Sequence, residues 1–113
     1  MDSGPSTSPE TQPALLSRLQ AWYQANCNGE WEHQHGIRIE STDNPGWWVR
    51  ISLAGTPLAG RAFAPVMRGE AASLDPQPPW LNCQVIDGVF HGAGDAAQLA
   101  EILGVFLDWA GAG

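Results

Sequence analysis

Cys27 and Cys83, together with His33, His35 and His91, are the side chains of this sequence best suited to chemistry. A thiolate beside an imidazole makes a nucleophile, and four thiolate or imidazole donors make a tetrahedral zinc site. The spacing completes neither. Zinc knuckles take two ligands from one tight turn, whereas five residues separate Cys27 from His33, and Cys83 falls at a core-like position of an expected strand. No Gly-rich phosphate cradle and no oxyanion arrangement accompanies either thiol. A small thiol- or metal-dependent enzyme using Cys27 and His33 is therefore the alternative reading. The expectation is a chain with no catalytic residue, no metal and no cofactor, its cysteines packed and its histidines hydrogen-bonded.

A second set of residues suits recognition better than catalysis. Glu30 and Glu32 flank Trp31, and in an extended segment both carboxylates point away from it, which describes an acidic edge over one buried aromatic. Asp43-Asn44-Pro45-Gly46 has turn chemistry, because Asx side chains bond turn amides, Pro fixes φ and Gly admits a positive φ. In the strand that follows, Trp47, Val49 and Ile51 share one face and Trp48, Arg50 and Ser52 the other. Trp47 is expected in the core. Trp48 with Arg50 is expected at a contact surface, since interface hot spots favour these two residue types; the competing reading covers that face with the loop from Arg68 to Pro79. Glu30, Glu32, Asp43, Trp48 and Arg50 are thus the expected partner-binding residues.

The elements that must position them are legible from periodicity. Residues 1–12 are rich in Ser, Thr, Pro and Gly and read as a disordered tail, leaving one domain over 13–111. Pro13 opens a helix to about residue 27, with Leu15, Leu16, Leu19, Trp22, Tyr23 and Cys27 at helical spacing. Ile37 and Ile39 alternate with Arg38 and Glu40 and form a hairpin with residues 47–53. Further strands are expected at Leu58–Val66, Trp80–Ile86 and Val89–His91. A closing helix begins at Asp95, which caps it with Gln98 reaching back, and Leu99, Ile102, Leu103, Phe106 and Trp109 form its apolar stripe. The expected class is α+β: an antiparallel β-meander of about five strands with both helices on one face, in the order α-β-β-β-β-β-α.

Charge narrows the partners. Twelve acidic residues against five Arg and no Lys give a net charge of −7, which repels phosphate backbones and disfavours nucleic acid. The same charge speeds encounter with a basic protein such as a nuclease. Two cysteines are too few for a disulfide scaffold, and no signal-like or membrane-spanning run occurs, so a cytoplasmic protein with no membrane association is expected.

The run Cys27-Asn28-Gly29-Glu30-Trp31-Glu32-His33, the turn Asp43-Asn44-Pro45-Gly46-Trp47 and the later Gly55-Thr56 resemble immunity protein 53 of bacterial polymorphic toxin systems. Trp22-Tyr23, the stretch Trp80 to Cys83 and the closing Leu/Phe/Trp helix extend the resemblance over about residues 15–109. It departs from the family pattern in the tail and at Asn28, where an acidic residue is expected. The resemblance implies a protein made beside a toxin that binds and neutralises it; with the acidic charge, the expected mode is stoichiometric occlusion by a monomer or weak homodimer. A structural subunit that merely self-associates is the third reading.

Overall fold

The short turns and apolar periodicity resolve into eight elements in the computed structural model, which describes residues 12–69, 74 and 76–111. In chain order these are α1 (Gln12–Asn26), α2 (Trp31–Gln34), β1 (Ile37–Thr42), β2 (Gly46–Ser52), β3 (Val66–Arg68), β4 (Leu81–Ile86), β5 (Val89–Asp95) and α3 (Leu99–Gly111). The expected tail lies outside the described residues except for Gln12, which already belongs to α1. The α+β class is as expected, but the sheet is not a simple meander. Its order is β1-β2-β5-β4-β3, antiparallel throughout, so the β4–β5 hairpin docks through β5 on β2 and puts β3 at the far edge.

Register follows from the turns. Asp87 and Gly88 both take positive φ, 51° and 76°, the backbone whose twist matches that of two antiparallel strands. With register set, Ile51 lies opposite both Ile37 and Phe90, and Gly92 lies opposite both Val49 and Cys83. These residues line the inner face, where Val49, Ile51, Cys83 and Phe90 are fully buried. Leu19 and Trp22 of α1 and Ile102, Phe106 and Trp109 of α3 pack on the same core, so both long helices lie on this side.

The glycines of β5 fix how closely α3 can sit. A Cβ at Gly92 would overlap the Ile102 side chain, and one at Gly94 would stand 2.7 Å from Gln98 Cβ. An aromatic chain ties the layers together. Trp22 meets Phe106 edge-on at 5.0 Å, Phe106 meets Phe90 at 5.1 Å, and Phe63 contacts Phe90 at 5.7 Å and Trp109 at 5.0 Å.

Three local expectations are corrected. Leu58–Val66 is not a strand. Buried Thr56 closes turns with Leu53 O and Leu58 N, and Ala62 O accepts the Trp109 indole N–H while Arg61 donates to Trp109 O. The backbone of this segment bonds within its own turns, Ala59 N–H to Thr56 O and Arg61 N–H to Leu58 O, and through Ala62 O to α3, leaving only Val66–Arg68 for the sheet. The fifth strand runs to Asp95, well beyond His91, because Gly94 and Asp95 continue the pairing with β2. Accordingly α3 begins at Leu99, and Asp95 closes the strand. Its carboxylate accepts N–H bonds from Ala97 at 2.9 Å and from Trp80 at 2.8 Å. Loss of hydration pulls its pKa up, but these two amides and the Gln98 side chain outweigh that and hold it below the usual Asp range.

Two outcomes follow. Gly92→Ala should destabilise the fold by about 1–3 kcal/mol through overpacking against Ile102, read as a lower urea midpoint at unchanged m value. Asp95→Ala should cost roughly 2–3 kcal/mol at neutral pH. Because the folded pKa is depressed, the stability Asp95 contributes is present above the ordinary value of 3.8 and is lost as pH falls through the folded value. The gap between wild type and variant should therefore narrow in acid; a gap independent of pH would refute the assignment.

Candidate functional site

β2 lies between β1 and β5, so its alternating side chains divide cleanly between the core and the opposite sheet face. Trp48 and Arg50 project from that opposite face, which neither long helix covers; Trp48 is 39% exposed. The Arg50 guanidinium lies 4.2 Å from the centroid of the Trp48 ring and donates through Nη2 to Glu40 Oε1 at 2.7 Å. Trp48 also stacks near His91, with centroids 6.3 Å apart and planes 25° from parallel. Register explains the cluster: Glu40 pairs with Trp48 across β1–β2, and Arg50 pairs with His91 across β2–β5. Burial, and then the Arg50 charge, push the His91 pKa down, so the imidazole is held toward its neutral form. Arg50 Nε is buried without a partner among the described residues.

Toward the start of β1 the face deepens into a groove of about 470 Å³ lined by His33, His35, Arg38, Arg50, Ser52 and His91. All three histidines of the chain therefore meet at one groove. His35 Nδ1 is 2.9 Å from Ser52 Oγ, which fixes its ring. Among the described residues no three His, Cys, Asp or Glu side chains converge as a metal site requires.

The expected partner-binding residues separate. Trp48 and Arg50 stand together as expected. Asp43 is exposed in the β1–β2 turn, at the end of β1 away from the groove. Glu30 and Glu32 do not lie in an extended segment: Trp31–Gln34 forms one helical turn. Glu30 is exposed beside it, but the Glu32 carboxylate turns back to accept the Asn28 and Gly29 N–H groups at 2.9 and 2.8 Å. Its own backbone N–H, then those of Asn28 and Gly29, hold the Glu32 pKa below the usual range against partial desolvation. Asn28 Oδ1 reciprocates by accepting the N–H groups of Glu30 and Trp31, both at 2.9 Å. Asn28 thus acts here as an Asx cap, a role its side-chain oxygen fills without a charge. The box aims Trp31 inward, where it is 5% exposed and donates to Ala54 O at 2.8 Å. The other half of the motif completes this contact: Gly55 has φ 79°, and a Cβ there would press on the Trp31 ring at 3.2 Å.

Glu40, Arg38 and His91 join the cluster without having been expected at a binding site. The alternation Arg38-Ile39-Glu40 with the Asp43–Gly46 turn carried a signal for the first two, since counting back from the turn sets Glu40 against Trp48. His91 needed the β2–β5 pairing, which no local pattern reveals. The thiols do not pair with the histidines as a nucleophilic site: Cys27, just past α1, donates through Sγ to Tyr23 O at 3.3 Å, and Cys83 is fully buried, its pKa pushed up to about 12 by desolvation.

The Trp31 box that locks the loop before β1 is spelled by two of the runs that carry the family resemblance, Cys27–His33 and Gly55-Thr56, and the Asp43–Trp47 turn leads into the strand that bears Trp48 and Arg50. The sequence profile of immunity protein 53 matches residues 16–111. The chain belongs to that family. Neither curated proteins nor solved structures give a match. Family membership carries an immunity function and implies a toxin as partner. Among the described residues no helix is long and apolar enough to cross a membrane.

In the native immunity protein a thiol reagent should label Cys27 alone, with Cys83 reacting only after unfolding in denaturant; equal labelling of both in the folded chain would contradict the buried β4 position.

Proposed function

We propose that this immunity protein binds its cognate toxin stoichiometrically through the sheet face that neither long helix covers and neutralises it by occluding the toxin's active site or an exosite. The observation that carries this reading is the half-exposed Trp48 held flat beneath Arg50 and against His91 on a face that neither long helix covers. A preorganised aromatic loses little side-chain entropy on binding and excludes water from its neighbours, which is how a hot spot slows dissociation. Asp43, exposed in the β1–β2 turn, and Glu30, exposed at the start of α2, supply the acidic rim, while Glu32 contributes by shaping the loop that carries Glu30. The net charge of −7 favours a basic toxin, a nuclease among the possibilities, because opposite charge raises the association rate. The protein works without catalysis, in the cytoplasm of the cell that makes the toxin.

Co-expression with the toxin domain encoded beside this chain should rescue growth and give a complex that co-purifies. Trp48→Ala should raise the dissociation rate by about thirty-fold or more, as the loss of a central hot spot does. Glu30→Arg with Asp43→Arg should act instead on association, lowering its rate several-fold and flattening its salt dependence, the signature of rim charges. Full neutralisation and unchanged kinetics in Trp48→Ala would remove this face from the mechanism.

A further inference from the structure

β1 is an edge strand of the sheet, and among the described residues its outer side is free. Among the described residues β1 pairs only with β2 and, apart from Ile37, is exposed along its length. Ser52 N–H donates to Gly36 O, which makes 36 and 52 a hydrogen-bonded pair; by alternation the even-numbered residues of β1 bond to β2. The N–H and C=O groups of Ile37, Ile39 and Ser41 therefore point outward, away from the sheet. A long edge of this kind is a template for another strand.

The side chains on this edge are self-complementary. Arg38 lies directly across from Arg50, a like-charge pair that disfavours the ladder, and Arg38 has no ion pair with any described residue. If a second β1 is laid antiparallel with the two copies of Ile39 opposite one another, Arg38 of each copy falls opposite Glu40 of the other. Ile37 then faces Ser41. The outward N–H and C=O groups of Ile37, Ile39 and Ser41 all find partners, and the Arg–Glu pairs fall at non-hydrogen-bonded positions, where facing side chains stand closest.

Apolar surface collects at the same edge. Ile39 is 41% exposed on the inner face of β1, and Gln20 and Tyr23 of α1 line an apolar groove of about 410 Å³ with Ile37. Leu16, Gln20 and Tyr23 share one stripe of α1, with Leu16 57% and Tyr23 37% exposed. A second copy placed on β1 brings its own stripe against this one, so the contact is isologous in both layers. We propose that two copies of this chain dimerise through β1, continuing the sheet across a two-fold axis at Ile39 with reciprocal Arg38–Glu40 pairs.

The test needs only the full chain and is independent of the toxin reading. At physiological salt, where repulsion between two chains of net charge −7 is screened beyond about 8 Å, sedimentation equilibrium at roughly 100 µM should show a dimer. Arg38→Glu should weaken it about ten-fold or more by placing like charges opposite each other twice. This variant keeps its fold, because a carboxylate at 38 faces Arg50, and far-UV circular dichroism checks that. Arg38→Glu combined with Glu40→Arg should restore the dimer. A monomeric wild type at that concentration would overturn the proposal. So would a dimer indifferent to Arg38→Glu, or a folded double variant that stays dissociated.

Discussion

The close seat of α3 on β5 is the constraint on which the rest of this molecule depends. Gly92 and Gly94 present bare backbone at the centre of the inner face, and Ile102 and Gln98 occupy the space where their side chains would stand. Only at that distance can Phe106 reach Phe90 and Trp22 together, and only then does Trp109 come within reach of Phe63 and Ala62 O. Close packing of this kind tolerates little change of volume, so two positions without side chains set the spacing of the layers.

One consequence is that the core is one-sided. With both long helices on the inner face, the outer residues of β2 and β5 are organised by each other: Arg50 over Trp48, Trp48 against His91, Glu40 on Arg50. Cation–π and ion-pair contacts at a half-exposed surface add little to stability, but they restrict the rotamers of a large aromatic and so define a shape. In the function proposed above, this shape is the surface presented to the toxin.

The segment between α1 and β1 shows how local and distant interactions divide the work. Asn28 and Glu32 satisfy one another's backbone groups within a few residues, while Trp31, aimed by that box, is held by Ala54 and Gly55 across the fold. The glutamate expected on the surface is therefore spent on the loop, and the groove beside it gathers His33, His35 and His91 on the outer face. An acidic protein thus carries its imidazoles in one place.

The sequence by itself determined the α+β class, α1, the β1–β2 hairpin and the inward or outward sense of Trp47, Trp48, Arg50 and Cys83. All of these rest on periodicity and turn chemistry, which act over a few residues. It also carried the family, because the Trp31 and Asp43–Gly46 motifs are local runs. The docking of β5 on β2, the loss of Leu58–Pro65 from the sheet to the end of α3, and the extension of β5 to Asp95 were decided by tertiary structure. In each of these a hydrogen-bond partner lies far away in sequence, Trp109 for Ala62 O and Trp80 for Asp95, and strand propensity alone cannot say which distant group takes a given N–H or C=O. For the same reason Trp48 and Arg50 were legible as a pair, whereas His91 joined them only once β5 was laid beside β2.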